Sequence, residues 1–396
     1  MTSSPATATK PAISLPGLAW VFLRLGAIGF GGGMAVVALM EHELIKKRRL
    51  LDHDEFLHGI ALGQILGSFA ANAALFVGNR LFGFLGGWLC AAAFMAPSVA
   101  MVILLSWLYF TFHTIPALKT ILLGLGPVVI ALILSAAWSM GKKAIQSWPA
   151  AVLGLLALAG AVLKFNSLVI LTTAGVLGLW IGKARLSHRG GPPPTPAPKG
   201  SAGWVTPLPL ATATATTVAT AAAPPVWFMA WTFLKVGLVF FGGGFVLVPV
   251  LHQKLVVTTG WLQPQEFLDG VAISNLTPGP IAVLATFVGY RLHGPLGALV
   301  ATLALFLPAL LLMSLLAHFY QRLKNLQRAQ DLLAGLTPAM VGLILGAAVL
   351  LAPAALHGLP GVLLALLALV LLLRLRWHPA FVLALGAVAG GVGLIR

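Results

Sequence analysis

Long apolar segments, separated by short polar stretches, run along almost the whole chain. Most are about 15 to 25 residues long, which suits helices that cross a hydrocarbon layer roughly 30 Å thick. The residue-by-residue alternation that a membrane β-barrel requires is absent from the sequence. The twelve segments are 16–40, 57–78, 86–110, 121–140, 149–163, 167–182, 227–250, 268–289, 297–318, 332–352, 360–373 and 379–395. The pattern predicts an all-α polytopic membrane protein.

The first six segments and the last six are copies of one unit. FLRLGAIGFGGG begins at Phe22 and FLKVGLVFFGGG begins at Phe233, an offset of 233 − 22 = 211. The same ungapped offset pairs further glutamates, arginines and prolines, namely Glu55 with Glu266, Arg80 with Arg291, and Pro97 with Pro308. A register that holds over more than a hundred residues indicates an internal duplication.

A stretch rich in Pro, Gly, Ala and Thr lies between the two copies. It contains GGPPPTPAPKG, a composition that supports neither a packed core nor a long helix, and we interpret it as a linker. The chain is therefore divided into an N-terminal tail (1–15), a first membrane repeat (16–182), a linker (183–226) and a second membrane repeat (227–396).

The basic residues of the loops predict that the two repeats face in opposite directions. Four consecutive basic residues occupy 46–49, whereas the copy of this loop, 252–266, contains a single lysine. The bias is reversed further on, because 112–120 has one lysine, whereas the corresponding region 322–331 has three basic residues, Arg322, Lys324 and Arg328. Since lysine and arginine accumulate on the cytoplasmic side, the repeats are predicted to be inverted.

Inversion requires an odd number of crossings in each repeat, so one segment of the six must enter and leave by the same face. The best candidates are 57–78 and its copy 268–289, which are rich in small and polar residues. This choice places the basic clusters at 142–143, 183–189 and 374–376 in the cytoplasm. The sequence thus predicts about ten crossing helices and two re-entrant segments, arranged as an inverted repeat.

Three consecutive glycines interrupt an apolar segment in each repeat. They are Gly31, Gly32 and Gly33 in the first, and Gly242, Gly243 and Gly244 in the second. Each glycine destabilises a helix by roughly 1 kcal/mol relative to alanine, so three in succession are not expected in an uninterrupted membrane helix. The backbone is predicted to break here. Two interpretations are open. The backbone amides that the break sets free bind an anion, or the glycines only allow helices to pack closely.

A cation precedes each glycine triplet by seven positions, Arg24 in the first repeat and Lys235 in the second. A cation inside an apolar segment is costly and is a candidate for substrate binding. The alternative is that the side chain reaches the membrane interface. Because both copies keep the charge, we predict that Arg24 and Lys235 bind the substrate.

The second re-entrant segment contains a motif that no helix can accommodate. Its prolines and its glycine leave backbone amides without helical partners, and these amides can bind an oxyanion. The candidate binding residues here are Asn275, Thr277, Pro278, Gly279 and Pro280. The first repeat offers Gln64 and Asn72 in the corresponding region and lacks the prolines.

All eight acidic residues lie in predicted loops or at segment edges, which favours an anion over a cation as the permeating species. Glu55 and Glu266 lead into the re-entrant segments, where a coupling role and simple helix capping are both open. Arg80 and Arg291 follow these segments, where they either anchor the protein in the membrane or attract an anion at a vestibule.

Several functional classes are excluded or disfavoured by the composition. The net charge of +16 fits basic cytoplasmic loops rather than nucleic-acid binding in a chain that is 59% hydrophobic. Walker, HExxH and GxSxG motifs are absent, as is any clustered metal-ligand pattern, so the sequence predicts neither an enzyme nor a metal or cofactor site. The N-terminal tail lacks a secretory signal, and Cys90 is the single cysteine.

The motifs together resemble the chromate ion transporter family in its long, two-repeat form. The resemblance rests on the two FGGG segments, on Glu55-Phe56-Leu57 and Glu266-Phe267-Leu268, and on Thr277-Pro278-Gly279-Pro280 with the following FVGYR. Members usually have a proline after the paired glycines of the first repeat and a Pro-Gly-Pro there. This chain has Gly33 and Gly67-Ser68-Phe69 instead.

The resemblance implies a multi-pass carrier of the inner membrane that exports chromate, a tetrahedral dianion similar to sulfate, and so confers resistance. Its expected partners are the oxyanion and the lipid bilayer, and a homodimer is compatible with it. The alternatives are an anion channel, an uptake carrier for sulfate-like oxyanions and a membrane scaffold that transports nothing.

Overall fold

The computed structural model describes residues 13–29, 33–53, 55–56, 59–60, 63, 66, 69–112, 115–187, 223–239, 244–323 and 327–394. Within these residues the protein is helical and contains no β-strand, which confirms the all-α prediction. The helices of the first repeat are α1 (Leu15–Ile28), α2 (Gly33–Glu41), α3 (Phe69–Phe112), α4 (Pro116–Ala144), α5 (Trp148–Val162) and α6 (Ser167–Ser187). Those of the second repeat are α7 (Val226–Val239), α8 (Leu247–Leu251), α9 (Pro264–Leu276), α10 (Leu284–Leu323), α11 (Gln327–Ala355), α12 (Gly358–Leu373) and α13 (Pro379–Gly391).

Both glycine elements coincide with the end of a helix. α1 ends at Ile28, Gly29 is not helical (φ −78°, ψ 64°), and α2 begins at Gly33. In the second repeat α7 ends at Val239, and a short 3-10 turn starts at Gly244 before α8. The break at Gly29 agrees with the prediction of an interrupted backbone. Gly31, Gly32, Gly242 and Gly243 lie outside the described residues.

The second repeat contains a helical hairpin where a re-entrant segment was predicted. α9 has 13 residues and is therefore about 20 Å long, too short for a hydrocarbon layer of roughly 30 Å. Residues 277–283 then turn the chain into α10, which bends sharply at Gly294, where φ is +61°. The equivalent Gly83 interrupts α3 with φ +71°. Only glycine adopts this backbone conformation readily, which explains the glycine at both bends.

Four helices of the described chain are long and apolar enough to cross a membrane. They are 70–112, 120–142, 281–316 and 335–355, and seven further apolar helices have 10 to 17 residues. The membrane character of the chain is therefore confirmed. The count of about ten crossings stays a prediction, because these seven helices are shorter than the roughly 20 residues that a full crossing needs.

Two equivalent helices of the repeats, α4 and α11, run in opposite directions. In α4 and α11, Gly126 lies against Ala355, where a Cβ on the glycine would be 3.2 Å from the Ala355 Cα. Fifteen residues further along α4, a Cβ on Gly141 would be 3.5 Å from Val341. The partner position moves backwards along α11 as α4 advances, so the two helices are antiparallel. This is the geometry that an inverted repeat requires.

Each repeat packs its last two helices against the other repeat. α5 and α6 pack along α11, whereas α12 and α13 pack along α4. Glycines make these contacts close, since a Cβ on Gly124 would lie 2.0 Å from the Gly386 carbonyl oxygen, and one on Gly335 would lie 2.3 Å from that of Ala174. The repeats are therefore interlocked, and each completes the surroundings of the other's long helix.

Candidate functional site

The tip of the second hairpin is fixed by contacts with the first repeat. The Gly279 amide donates a hydrogen bond to the Gly29 carbonyl oxygen at 3.0 Å. The Ser98 hydroxyl, fully buried on α3, donates to the Pro278 carbonyl oxygen. Gly279 has φ +105°, and a Cβ there would lie 2.0 Å from the Ser98 oxygen, so no other residue fits.

A cavity of about 280 Å³ lies beside this tip, between α4 of the first repeat and the second repeat. That volume holds several water molecules, because about 10–15 Å³ of accessible volume suffices for one. Its walls come from α4, the hairpin tip, the 3-10 turn after the second glycine triplet and the loop between α12 and α13. The lining residues are Leu132, Ser135, Ala136, Ser139, Phe245, Ser274, Asn275, Thr277, Gly279, Ile281, Leu372, Arg376, Trp377 and Pro379.

The cavity wall offers hydrogen-bonding groups without negative charge. The Ser139 side chain is exposed, and its hydroxyl has no hydrogen-bonding partner among the described residues. The amide nitrogen of Asn275 donates to the Val271 carbonyl oxygen at 2.8 Å. Ile281 opens the 3-10 turn that continues into α10, so the partially positive end of a long helix reaches the cavity. None of the described lining residues is acidic, which suits an anion.

Arg376 is the cation among the residues that line this cavity. It lies in the loop between α12 and α13 and has a left-handed backbone (φ +54°), which is uncommon for a residue other than glycine. Sequence analysis used 374–376 only as a marker of the cytoplasmic side. The sequence signal for Arg376 is its match to another basic residue, Lys164, at an offset of 376 − 164 = 212. Lys164 also has a positive φ (+61°).

Several residues predicted for the site do lie at the cavity. Asn275, Thr277 and Gly279 line it, and Pro278 and Pro280 form the same tip. Gly244 lies next to the wall, because a Cβ on it would be 3.3 Å from the Ile281 side chain. The second glycine element and the hairpin tip therefore converge, as the inverted-repeat interpretation expects.

Arg24 and Lys235 are not brought to the cavity. Both side chains are exposed on the outer faces of α1 and α7, while the neighbouring Gly26 and Gly237 face the protein interior. The Lys235 ammonium lies over the Trp231 ring, 5.7 Å from its centroid. Trp20 occupies the equivalent position before Arg24 and is 66% exposed. This placement favours the interfacial interpretation that the sequence left open.

The first-repeat candidates are only partly described. Asn72 is fully buried on α3, and neither atom of its amide group has a hydrogen-bonding partner among the described residues. Burial of an amide group without hydrogen-bonding partners costs free energy. Gly33 begins α2. Gln64 lies outside the described residues.

The glutamates and arginines that match between the two repeats form equivalent ion pairs. Arg80 pairs with Glu55, and Arg291 pairs with Glu266 at 3.1 Å. Glu266 also accepts a hydrogen bond from the Gln263 amide at 3.0 Å as part of a capping box at the start of α9. Neither arginine lines the cavity. Each pair joins the residues that flank a segment predicted to be re-entrant, 57–78 or 268–289.

Sequence analysis did not foresee a buried carboxylate between the repeats. Asp269 on α9 is 2% exposed and accepts a hydrogen bond from the Tyr109 hydroxyl on α3 at 2.8 Å. Its second oxygen accepts from the Gln265 side chain at 3.0 Å. The sequence predicts acidic residues only in loops or at segment edges, and Asp269 lies at the edge of segment 268–289. Position along the sequence did not reveal that the start of α9 is covered by α3.

Comparison with known proteins identifies the family. A family model described as "Chromate transporter" matches residues 17–179 and 227–391, which lie in the two repeats. This chain belongs to the chromate transporter family. It is a transporter rather than an enzyme. No solved structure matches it.

Three curated relatives cover most of the chain. A probable chromate transport protein of Synechococcus elongatus is 32% identical over 96% of both chains. The chromate transport protein of Cupriavidus metallidurans is 31% identical over 95% of this chain and 92% of the relative. That of Pseudomonas aeruginosa is 32% identical over 87% and 82%, respectively. The resemblance found in the FGGG and TPGP motifs is confirmed over both repeats.

Proposed function

We propose that this protein is a secondary carrier that exports a tetrahedral oxyanion, chromate in the first place, across the inner membrane by alternating access. The observation that carries the proposal is the cavity at the hairpin tip. It combines one cation, hydroxyl and amide groups, and a helix N-terminus, and its described lining residues include no carboxylate. The names of the relatives supply the chromate assignment.

Donors from both repeats reach the cavity and can bind an oxyanion. The side-chain amide of Asn275, which has a second N–H, and Arg376 come from the second repeat, whereas the Ser139 hydroxyl comes from α4 of the first. The Thr277 and Ser135 hydroxyls donate to the carbonyl oxygens of Ser274 and Leu132 in the described conformation. Hydrogen bonds between such groups and a charged acceptor contribute about 1.5–3 kcal/mol each. Because the donors belong to both repeats, movement of one repeat relative to the other changes the site. Alternating access requires this property.

The cavity lies at the end of the protein that is predicted to be cytoplasmic. Ser139 is one turn before Lys142 on α4, and Arg376 belongs to the basic loop after α12. In this orientation the described conformation receives its substrate from the cytoplasm, as export requires. A negative-inside membrane potential then drives a dianion outward, with about 2.3 kcal/mol per charge per 100 mV.

Chromate flux into everted membrane vesicles tests the proposal. The cytoplasmic face is outside in these vesicles, so uptake corresponds to export. We expect saturable uptake that increases with an inside-positive potential, that sulfate and molybdate inhibit, and that chromate preloaded in the lumen accelerates. Vesicles from cells without the protein are the control.

The assay also separates the alternatives. A linear, non-saturable flux without acceleration by luminal anion would replace the carrier by a channel. Uptake only into right-side-out vesicles, with sulfate preferred to chromate, would indicate an uptake carrier for sulfate-like oxyanions. No flux of any oxyanion in folded protein would refute the proposal.

A further inference from the structure

The cavity at Arg376 has a closed counterpart on the first repeat. A second cavity, of about 20 Å³, is lined by the loop between α5 and α6 and by α11. Lys164, Phe165 and Ser167 take the places of Arg376, Trp377 and Pro379 at an offset of 212, because the loop after α12 is one residue longer. Ala347 takes the place of Ala136 at the offset of 211. The two cavities are thus related by the inverted repeat.

The two cavities differ in what fills them. Pro249, His252, Gln253 and Val257, from α8 and the π-helical turn His252–Thr258, line the small cavity. Its remaining volume holds about one water molecule and no oxyanion. In the equivalent segment of the first repeat, α2 with its π-helical turn His42–Lys47, none of the described side chains lines the large cavity. One side is therefore filled and the other is open.

Gln253 holds the filled side shut with four hydrogen bonds to one loop. Its oxygen accepts from the Ser167 amide at 2.6 Å and from the Ser167 hydroxyl at 2.5 Å. Its nitrogen donates to the carbonyl oxygens of Phe165 at 2.6 Å and Lys164 at 3.3 Å. The equivalent residue at the offset of 211 is His42, which is exposed and has no partner among the described residues.

We propose that Lys164 marks a second entrance for the oxyanion, equivalent to the open entrance at Arg376, and that Gln253 latches this entrance shut in the described conformation. The inference rests on the proposed function for the identity of the ligand. Release of Gln253 opens the Lys164 side, and movement of His42 towards the Arg376 loop closes the other. Each cation then faces the anion in only one of the two conformations.

Cysteine labelling tests the latch without any transport measurement. Ala136→Cys and Ala347→Cys place matched thiols in the open and the closed cavity, and the native Cys90 is fully buried. With a membrane-impermeant thiol reagent, we expect Ala136→Cys to react from the cytoplasmic face and Ala347→Cys to react slowly from both faces. Adding Gln253→Ala should raise the labelling rate of Ala347→Cys at least tenfold, from the external face.

A second substitution and a control keep the test decisive. Gln253→Glu retains the acceptor but turns the donor into a carboxylate that repels two carbonyl groups, so it should act like Gln253→Ala. His42→Ala should leave the slow labelling of Ala347→Cys unchanged. Normal labelling of Ala136→Cys in both Gln253 variants shows an intact fold. If Ala347→Cys still reacts slowly in these variants, the proposed latch is wrong.

Transport from each side tests the role of Lys164. Lys164→Gln should raise the KM for chromate about tenfold in right-side-out vesicles and change it less than twofold in everted vesicles. An equal change on both sides, or none on either, would contradict a second entrance. If the unmodified protein moves no oxyanion, the proposed function and the role of Lys164 both fail, whereas the labelling result still decides the latch.

Discussion

The Gly279 amide and the Gly29 carbonyl oxygen, 3.0 Å apart, join the re-entrant tip of one repeat to the helix break of the other. This hydrogen bond connects the two places where the sequence interrupts its own helices. Since both broken segments leave backbone groups without helical partners, each satisfies part of the other's requirement. The geometry of the cavity wall depends on this contact.

Substitution of Gly279 by alanine should abolish transport. The new Cβ would lie 2.0 Å from the Ser98 oxygen, and φ +105° is strained for any residue with a side chain. We expect loss of chromate uptake in everted vesicles with protein still in the membrane. Gly141→Ala is the matched control, because its Cβ would make an ordinary contact at 3.5 Å. Full activity of Gly279→Ala would show that the tip is not part of the site.

Removal of the Arg376 charge should weaken anion binding. We expect Arg376→Gln to raise the KM for chromate in everted vesicles about tenfold, since one charge-assisted hydrogen bond is worth about 1.5–3 kcal/mol. Arg374→Gln, on the same exposed loop but outside the cavity lining, is the control. Equal effects of the two variants would mean that only the loop's overall charge matters.

The sequence and the structure make different predictions for Arg24 and Lys235. The sequence predicts substrate binding, whereas their exposure on the outer faces of α1 and α7 predicts a change in KM of less than about twofold for Arg24→Gln and Lys235→Gln. We expect the smaller effect. A KM increase as large as that of Arg376→Gln would show that the two cations do bind the substrate.

The sequence revealed features that depend on local chemistry. The duplication, the segments and the hairpin tip follow from hydrophobicity, glycine and proline, which act on their own neighbourhood. The face of α1 that turns inward depends on packing, so the outward direction of Arg24 could not be read from its spacing to the glycines. The proximity of Arg376 to Ser139 depends on the exchange of helices between repeats. No local pattern encodes that exchange.

Close helix crossings should make two equivalent glycines sensitive to substitution. A Cβ on Gly26 would lie 2.1 Å from the Phe94 carbonyl oxygen, and one on Gly237 would lie 2.2 Å from that of Leu305. We expect each alanine variant to lose about 1–3 kcal/mol of stability through overpacking. Thermal unfolding in detergent measures this loss. An unfolding temperature unchanged from that of the parent protein would show that the crossings relax freely.

The inversion of the repeats can be tested at the loops that follow α2 and α8. Lys47 and Thr258 are both exposed, at the ends of equivalent π-helical turns. We expect Lys47→Cys to react with an impermeant thiol reagent only from the cytoplasmic face and Thr258→Cys only from the external face. The parent protein, whose Cys90 is buried, gives the background. Reaction of both cysteines from one face would exclude inversion.

The last two helices of each repeat pack against the other repeat, and this affects the order in which the chain can fold during synthesis. While the ribosome is still translating the second repeat, α5 and α6 have left the translocon but lack α11, the helix against which they pack. The first repeat must therefore wait, incompletely folded, until nearly the whole chain is synthesised.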